Sequence, residues 1–583
     1  MENSEIEKIL REIGEYLEMQ GESFFKIRAY EKAADVIGSL SEKISDTYKK
    51  GGKESLEKIS GIGVSIAEKI EELIKTGHLK YYEQLKKEIP VNLSELSQIQ
   101  GLGSKSIYKL YKELGITNLK ELEEAVKKGK IRNLEGFGEK SEINISKGLE
   151  FIKKSGSRFI LGEVMPLIKK IEHRLKKIKE VEDIVIAGSV RRKKETIGDV
   201  DILVTSDNPK SIMDFFTSMP EVGIVYAHGD TKSAIKLKNG LDVDLRVVPK
   251  ESYGAALNYF TGSKEHNIAL RQIAVKKGYK LNEYGLFSAK GGGKKMMIGK
   301  TEQELYKALG LDYIEPELRE MTGEVEAAER GKLPQLIQYG DLKGDLQVQS
   351  DWSDGADSIE DMAQAAIEAG LEYMVITDHT HRLAMAHGLD SERILKQMKE
   401  IDELNSKLKI RNSKFRILKG SECDILKDGS MDLPNEILAQ LDVVGGSIHS
   451  YFNLSKEEQT KRLQKAMSNP HVDIIFHPTG RRINKRPAYE LDMEAIIKTA
   501  KETKTILEID AFPDRLDLKD DHIRQCVKGG VKLSIDSDSH SASHFSVLEY
   551  GIAQARRGWA EKKDIINTWP LEKMLSMLKN GGK

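Results

Sequence analysis

The chain is poor in cysteine, in long apolar runs and in excess charge of either sign. Its 583 residues contain two cysteines, Cys423 and Cys526, too few for a disulfide framework, and this favours a reducing, cytoplasmic location. No apolar run approaches the roughly 20 residues needed to cross a bilayer, and the charged N-terminus lacks the apolar segment of a signal peptide, so we expect no membrane association. The formal net charge of −1 argues against a protein that holds nucleic acid by bulk positive charge.

The length and the texture of the sequence indicate several domains. A chain of 583 residues is too long for one hydrophobic core. Up to about residue 150 the apolar residues recur at helical spacing, whereas from about residue 180 β-branched segments such as 184–187 and 200–204 predict strands. From residue 340 onward, short apolar strands alternate with amphipathic helices, which predicts a parallel sheet and favours a barrel.

A Gly-x-Gly unit that leads into a helix recurs three times in the helical part. Glycine lets the backbone turn tightly and approach a phosphate without a Cβ in the way, and the following helix N-terminus offers free N–H donors. A single copy could equally be a helical turn or a C-cap. Three copies in one frame favour DNA binding, and they resemble helix-hairpin-helix motifs. The glycines are Gly61 and Gly63, Gly101 and Gly103, and Gly136 and Gly138.

Two aspartates separated by one residue form the strongest chemical motif. Alternation along a strand puts Asp199 and Asp201 on the same face, where they repel each other unless a cation lies between them. Asp244, on another β-like segment, could approach from beside them. Three carboxylates can hold two Mg²⁺ ions, one activating a primer 3′-hydroxyl and one binding a triphosphate. Ser189 and Arg192, with the Gly188 turn, are suited to the β- and γ-phosphates, and Gly198 is a further candidate for nucleotide binding.

The motifs before residue 316 together resemble one protein family. They are KIRAYEKAADVI (26–37), GIGVSIAEKIEELIKTGHL (61–79), the Gly-Ser and Asp-x-Asp motifs, and Tyr-Phe-Thr-Gly-Ser (259–263). In order and spacing they are similar to the family X DNA polymerases, the enzymes like DNA polymerase beta. The resemblance implies a gap-filling polymerase of base excision repair that uses dNTPs and gapped or primed duplex DNA. It also implies Mg²⁺ as cofactor, with Mn²⁺ able to replace it.

The same resemblance implies roles for individual residues. Arg246 would orient the catalytic carboxylates, Asn267 would touch the base of the incoming nucleotide, and Arg271 would contact the templating strand. Asp242 departs from the beta enzyme, which has an arginine near the primer terminus at this position. The residues implied to line the sugar of the nucleotide are Tyr259, Phe260 and Gly262, and further residues implied to contact DNA are Lys26, Tyr30 and Tyr284.

Lys69 occupies the position of the lysine that forms a Schiff base with an abasic sugar in the beta enzyme. This implies a 5′-deoxyribose phosphate lyase activity, because an amine with a lowered pKa can attack an aldehyde. The alternative is a solvated lysine on a helix surface. Ser65 and Tyr81 depart from the family, which has lysines there that help to bind the 5′-phosphate.

Histidines and carboxylates stand at successive strand ends in the last third of the chain. Such side chains can bind several transition-metal ions and activate water, although each one alone could be an ordinary buried or surface residue. Together they resemble the PHP (polymerase and histidinol phosphatase) domain of bacterial and archaeal family X polymerases. The resemblance implies Mn²⁺ or Zn²⁺ in this domain. The candidate ligands are Asp354, His379, Glu422, His449, His477, Asp538 and His540.

Gln347 and Gln349 stand where the PHP pattern opens with His-x-His. A neutral amide oxygen is a poorer ligand for these metals than imidazole. By the resemblance, the affected metal position also uses Glu422 and Asp538. Two other positions could survive, so we expect an incompletely occupied site and impaired hydrolysis. The surviving positions are one from Glu422, His449 and His477, and one from Asp354, His379 and His540.

These expectations combine into a multidomain fold with an α-helical helix-hairpin-helix region, an α+β palm and thumb, and a C-terminal α/β distorted barrel. Two alternatives stay open for the PHP domain: an active 3′–5′ exonuclease or 3′-phosphatase, and a non-catalytic scaffold that positions DNA. A template-independent nucleotidyltransferase is a more distant alternative. We expect a monomer. The predicted domains are 1–85 (lyase-like), 86–150 (fingers-like), 151–250 (palm), 251–316 (thumb), 317–335 (linker) and 336–583 (PHP).

Overall fold

The computed structural model describes residues 3–39, 43–59, 61–97, 99, 102–139, 141–143, 145–146, 148–149, 158–288, 296–383, 386–410 and 414–579. Gly101, one of the predicted DNA-binding glycines, lies outside the described residues. Within the ranges given, no helix combines the length and the apolar composition needed to span a membrane.

The N-terminal region consists of short helices around one apolar core. Buried side chains from Ile6 to Leu149 form a continuous cluster, so the helices of the predicted domains 1–85 and 86–150 share a core. Gly63 and Gly103 each stand immediately before a helix. The described helices are Asn3–Met19, Phe24–Ser39, Ile44–Glu57, Val64–Thr76, Lys80–Glu88, Leu93–Leu96, Ser104–Leu114 and Leu119–Lys127, with a 3-10 turn at Ile131–Asn133.

A five-stranded mixed sheet forms the palm. Its strands lie in the order Asp183–Ile186, Asp199–Thr205, Asp242–Val248, Lys232–Leu237 and Val222–His228. The second and third of these strands are parallel, and the other neighbours are antiparallel. The remaining palm elements are the helices Leu161–Lys176, Gly188–Arg191 and Lys210–Thr217 and the strand pair Phe159–Ile160 and Thr196–Ile197.

The thumb follows, and the part of it that the structure describes contains four helices and a small antiparallel sheet. The segment predicted as a linker packs against it instead of crossing solvent, since Arg319 and Glu324 are fully buried. Arg319 Nη1 lies 2.6 Å from Glu302 Oε1, which satisfies a charge that would otherwise be costly to bury. The elements are the helices Tyr253–Thr261, Lys264–Lys276, Glu302–Ala308 and Glu324–Glu329, the 3-10 turns Lys250–Ser252 and Pro316–Leu318, and the strands Tyr279–Asn282, Gly285–Ser288 and Met296–Ile298.

Seven parallel strands form a nearly closed barrel in the C-terminal region, which confirms the predicted fold class. In sheet order they are Gly344–Val348, Tyr373–Ile376, Arg416–Asp424, Val443–Ser447, Ile474–Ile475, Ile506–Asp510 and Leu533–Asp536. The backbone N–H of Gln349, just after the first strand, donates to the backbone carbonyl of Ser539, just after the last strand, at 2.8 Å and so links these two strands. The outer elements are Ile359–Glu368, Ser391–Ile410, Asn435–Leu438, Lys456–Met467, Met493–Thr503, Asp520–Gly529, Ala542–Val547, Leu548–Arg557, Lys562–Asp564, Ile566–Thr568 and Leu571–Leu575.

The barrel domain packs directly on the palm. Ile483, Leu516 and Tyr550 of the barrel domain belong to the same buried apolar cluster as the palm sheet. Arg481 Nη2 adds an ion pair to Glu195 Oε2 at 2.8 Å. The candidate polymerase site and the candidate metal site of the barrel therefore lie in two domains that share a hydrophobic core.

Candidate active sites

The three predicted catalytic aspartates meet at one end of the palm sheet. Asp199 and Asp201 alternate along one strand, and in the parallel ladder Asp201 lies directly beside Asp244. Burial, and then the negative charges of Asp199 and Asp244, raise the pKa of Asp201 from 3.8 to about 7. A divalent cation would remove this repulsion, and oxygen ligands are those that Mg²⁺ prefers, so the donor set fits Mg²⁺.

Two lysines of the neighbouring strand pair with this group. Lys232 Nζ lies 3.0 Å from Asp244 Oδ2, and Lys236 Nζ lies 2.7 Å from Asp242 Oδ1. The Lys236 ammonium on the adjacent strand therefore places a positive charge next to Asp242, the position at which the beta enzyme has an arginine. No sequence pattern indicates these two lysines, because only the pairing of strands 232–237 and 242–248 brings them alongside the aspartates.

The turn after the first palm strand closes over the aspartates. Gly188 has a φ of +62°, and a Cβ at this position would overlap Asp201 Oδ2, so the turn requires glycine. The Ser189 hydroxyl is buried and has no hydrogen-bond partner among the described residues, which suits a group that binds a phosphate oxygen. Gly198 is less constrained, since a Cβ there would approach only Arg158 Nη1, at 3.4 Å.

Thr261 ties the nucleotide-binding turn to the first thumb helix. Arg191 Nη1 donates to Thr261 Oγ1 at 2.7 Å, and Arg192 Nη1 donates to the carbonyl of Thr261. Gly262 follows with a φ of +70°, and a Cβ there would lie 3.0 Å from Arg192 Nη1. The two predicted nucleotide-binding segments thus form one unit, and Thr261 is a residue that sequence analysis missed.

Several other predicted nucleotide and DNA contacts of the palm and thumb interact with one another. The Arg246 guanidinium lies 5.0 Å from the centre of the Phe260 ring. Asn267 Nδ2 donates to the carbonyl of Tyr259 at 2.7 Å, and Arg271 Nε donates to the carbonyl of Asn267 at 3.2 Å. Two aromatic side chains remain accessible to a ligand, Tyr259 at 37% and Tyr284 at 50% exposure.

Lys69 lies among tyrosines in the N-terminal helices. Its Nζ donates to Ser65 Oγ at 3.0 Å and lies 5.8 Å and 5.3 Å from the ring centres of Tyr30 and Tyr81. Burial, with a smaller contribution from Lys26, lowers the pKa of Lys69. Lys26 forms a 2.9 Å ion pair with the glutamate four residues before it. The departures at Ser65 and Tyr81 thus surround the amine with neutral side chains.

Glu422 is the centre of the polar interior of the barrel. Its oxygens lie 2.8 Å from His477 Nε2, 3.1 Å from His449 Nε2 and 3.4 Å from His379 Nδ1. Gln349 Nε2 also donates to it, at 2.9 Å. Burial opposes ionisation of this side chain, yet His379, His449 and His477 hold the pKa of Glu422 well below its usual value. An ionised carboxylate among imidazoles is a donor set that fits a transition-metal ion.

Two groups in the barrel domain bring three candidate ligand atoms within 4.8 Å of one another. One is Asp354, His379 and His540, and the other is His379, Glu422 and His449. In the first group Asp354 Oδ1 lies 3.6 Å from His379 Nε2 and 3.7 Å from His540 Nε2. The first group consists of the same residues as one of the two positions that the sequence predicts to survive. The second shares Glu422 and His449 with the other predicted position but has His379 where the prediction has His477.

The position implied for the remaining metal contains no imidazole. Gln347 is fully buried, and neither its amide oxygen nor its amide nitrogen has a hydrogen-bond partner among the described residues. The side-chain nitrogen of Gln349 donates a hydrogen bond to Glu422. Arg515 Nε lies 3.2 Å from Asp538 Oδ2 and 3.2 Å from Asp510 Oδ2. Since a guanidinium already neutralises the expected ligand Asp538, this donor set does not fit a third metal ion. Neither Arg515 nor Asp510 was predicted from the sequence as part of this site.

Comparisons with known proteins agree with this architecture. Five family models match: a helix-hairpin-helix domain (1–79), a SAM-like helix-hairpin-helix tandem (93–150), the DNA polymerase beta palm (161–226), the DNA polymerase beta thumb (256–320) and the PHP domain (345–547). The DNA polymerase/3′-5′ exonuclease PolX of Bacillus subtilis (strain 168) is 39% identical over 581 residues, which is 99% of this chain and 100% of that protein. The chain belongs to the family X DNA polymerases with a C-terminal PHP domain.

Relatives of the PHP domain of this family X polymerase also occur as separate proteins. A probable phosphatase of Acetivibrio thermocellus is 31% identical over 191 residues, covering 31% of this chain and 73% of that protein. A probable phosphatase of Thermoanaerobacter sp. (strain X514) is 29% identical over 221 residues, covering 36% of this chain and 84% of that protein. The predicted family, the fold class and the polymerase class of enzyme are thereby confirmed, whereas the domain boundaries and the individual site residues stay predictions.

Proposed function

We propose that this family X polymerase fills gaps in DNA during base excision repair by templated nucleotidyl transfer. A primer 3′-hydroxyl attacks the α-phosphate of a dNTP in line, and pyrophosphate leaves. The observation that carries the proposal is the register that places Asp201 beside Asp244, beneath the Gly188 turn. Two Mg²⁺ ions held by Asp199, Asp201 and Asp244 would supply activation of the hydroxyl and neutralisation of the phosphates.

The surrounding residues of the chain bind and orient the substrates. The free Ser189 hydroxyl and the Arg192 guanidinium are our candidates for the triphosphate. Tyr259 and the backbone at Gly262 are the candidates for binding the sugar. The Arg246 guanidinium and the Phe260 ring, which lie against each other, line the site next to the carboxylates. Helix N-termini behind Gly63 and Gly103 lack side-chain caps and so offer N–H donors to DNA phosphates.

Filling of a single-nucleotide gap by Asp201→Ala tests the polymerase site. We expect the variant to lose at least about 1000-fold in rate, because a cation ligand contributes several kcal/mol to the transition state. Asp207→Ala is the matched control, since Asp207 is exposed and lies just beyond the same strand. Gap filling by Asp201→Ala at the wild-type rate would contradict the assignment.

For the PHP domain we propose impaired hydrolysis with two of three metal positions retained. The support is the buried Gln347 side-chain amide, which has no hydrogen-bond partner in the part of the chain that the structure describes, together with the Arg515 guanidinium beside Asp538. Ions at the remaining two positions would polarise a phosphodiester and activate water. The His379, His449, His477 and His540 side chains would bind these ions, with Glu422 and Asp354 as the carboxylate ligands.

Restoring both histidines tests this proposal. Labelled primer is incubated with Mn²⁺ and no dNTP, and metal content is measured by mass spectrometry on the same samples. Both chains carry Asp201→Ala, so that ions at the polymerase site do not enter the count. The chain with Gln347 and Gln349 should then hold at most two ions and shorten the primer slowly. Gln347→His/Gln349→His should gain an ion and shorten it faster, and three ions in the chain with both glutamines would refute the proposal.

Two alternatives keep specific support. An active 3′–5′ exonuclease or 3′-phosphatase is favoured by the two intact ligand groups and by the exonuclease in the name of the Bacillus subtilis relative. It predicts rapid shortening by the wild-type chain that His379→Ala abolishes. A positioning scaffold is favoured by the apolar contact of Tyr550 with the palm core. It predicts that His379→Ala leaves both gap filling and DNA affinity unchanged, and that no shortening occurs with any metal.

We propose in addition that Lys69 acts as a 5′-deoxyribose phosphate lyase nucleophile. Its Nζ attacks the aldehyde carbon of the opened sugar, and water leaves as the Schiff base forms. β-Elimination then breaks the sugar C3′–O3′ bond and releases the downstream DNA strand with a 5′-phosphate, and hydrolysis of the remaining Schiff base frees the lysine. The lowered pKa of Lys69 supports the proposal. Borohydride should trap a DNA adduct with the wild-type chain and with Lys75→Ala, whose lysine is ion-paired on the same helix, but not with Lys69→Ala.

A further inference from the structure

Arg192 is held by two fixed acceptors and keeps free donors. Its Nε donates to Glu320 Oε1 at 2.9 Å, its Nη1 donates to the carbonyl of Thr261, and no described residue accepts a hydrogen bond from its Nη2. The neighbouring Arg191 differs, because Glu302 binds both of its Nη atoms, at 3.0 and 2.7 Å. Arg192 therefore has donors to offer a triphosphate, whereas Arg191 is a structural cross-link.

Arg557 of the barrel domain reaches across to this arginine. It ends the helix Leu548–Arg557, and its side chain is almost fully buried. Its Nη1 donates to the backbone carbonyl of Arg192 at 2.8 Å and to Glu320 Oε1 at 3.2 Å. Its Nη2 donates to Asp520 at 2.5 Å, which fixes the guanidinium from the other side. The barrel domain thus contacts both the backbone of Arg192 and its counter-ion.

The charges in this cluster depend on one another. Burial alone would raise the pKa of Glu320, but the guanidinium groups of Arg557 and Arg192 hold it below the usual value. Glu320 consequently stays a carboxylate and keeps accepting from Arg192. Lys194 lies farther away, with its Nζ 3.8 Å from Glu320 Oε2. Removing Arg557 leaves a partly buried carboxylate with one close partner fewer and leaves the Arg192 carbonyl without its side-chain donor.

We propose that Arg557 and Glu320 are positioning residues that orient Arg192 toward the triphosphate of the incoming dNTP, so that the PHP domain helps to set the nucleotide affinity of the polymerase site. The inference rests on the proposed role of Arg192 in triphosphate binding. A guanidinium that is already held in place loses little rotamer freedom when it binds a phosphate. Without this support the same contact has to be ordered at each binding event, which weakens nucleotide binding more than the chemical step.

The test compares two adjacent arginines in single-nucleotide gap filling. Arg557→Gln should raise the KM for dNTP about tenfold, with kcat within about twofold and an unchanged affinity for gapped DNA. Arg556→Gln is the matched control: Arg556 also joins the barrel domain to the linker, through Glu317 at 2.8 Å, but does not contact Arg192. It should leave the KM within about twofold of wild type. Equal KM values for the two variants would overturn the inference.

A second pair of variants separates this inference from the function on which it rests. If Arg192→Gln alone leaves the KM for dNTP unchanged, the proposed role of Arg192 itself is wrong. If Arg192→Gln raises the KM and Arg557→Gln adds nothing further in that background, the relay through Arg192 is supported; an undiminished further rise contradicts it. Should Arg557→Gln fail to fold, Glu320→Gln removes the carboxylate charge that Arg557 and Arg192 share and should raise the KM about threefold, with an unchanged KM counting against the relay.

Discussion

Replacement of Gly188 by alanine would disturb the polymerase site through a single methyl group. The backbone of Gly188 has a φ of +62°, in the left-handed region. A Cβ at this position would lie closer than 3.0 Å to Asp201 Oδ2, so either the backbone of the turn or the Asp201 carboxylate would have to move. Asp201 cannot yield easily, because it is mostly buried and lies beside Asp244 in the ladder. The added methyl group therefore pushes on a candidate metal ligand.

The size of the effect follows from the left-handed φ of Gly188 and from the overlap of the added Cβ with Asp201. The left-handed conformation costs an alanine about 1–2 kcal/mol of stability. Relief of the overlap moves the Asp201 carboxylate by roughly 0.5–1 Å, and a misplacement of about 1 Å at reacting groups can cost about 100-fold in rate. We therefore expect Gly188→Ala to fold, to unfold at a slightly lower temperature, and to lose about 100-fold in kcat for gap filling.

Single-turnover gap filling with saturating dNTP measures this loss, and thermal unfolding measures stability. Gly278→Ala is the matched control, because Gly278 also has a left-handed φ, of +77°, and a Cβ there would have no described atom within 4 Å. It should retain most of the wild-type rate. A wild-type rate for Gly188→Ala, or an equal loss in both variants, would refute the argument that the turn holds the carboxylate in place.

Burial, and then the charge of Glu12, raise the pKa of Glu15 from 4.5 to about 7, so ionising it costs the folded state stability as pH rises from 4.5 to 7. Glu15→Gln should be up to about 3 kcal/mol more stable than wild type at pH 8 and equal to it at pH 4; calorimetry showing no pH dependence in the difference would contradict this. Arg319→Met, which breaks the buried pair with Glu302, should cost about 3–5 kcal/mol in denaturant unfolding, and a cost below about 1 kcal/mol would show that the pair adds little. Mn²⁺ added to the chelated chain at about 100 times its Kd should stabilise the PHP domain by about 2.7 kcal/mol, and a similar gain in His379→Ala would place the binding elsewhere.

Local pattern was sufficient for much of the polymerase half. Alternation along a strand places Asp199 and Asp201 on one face without any knowledge of the fold, and a Gly-x-Gly unit marks where helices begin because glycine permits the turn. The apolar segments after residue 340 indicated parallel strands for a similar reason, since strands buried on both faces are apolar throughout. Polar residues at their ends, such as His379 and His449, could then be assigned to one edge of the barrel.

Contacts between distant segments were outside the reach of such patterns. Nothing in the spacing of Lys232 predicts its ion pair with Asp244, and nothing near Asp538 indicates that Arg515 neutralises it. The linker prediction also described residues 317–335 by their charge, although Arg319 is fully buried within a network of partners. A charged side chain is buried or exposed according to the partners that packing brings to it.

By itself, the sequence determined the order of the domains, the helical repeats, the aspartates on one strand face and the missing His-x-His, because each of these depends on neighbours within a few positions. Tertiary structure alone decided which cation pairs with each buried carboxylate. It also decided that Arg557 contacts Arg192, which is 365 positions away along the chain. The reason is physical: hydrogen bonds and ion pairs act over a few ångströms. Their partners are therefore set by how strands and helices pack, and the distance along the chain carries no information about them.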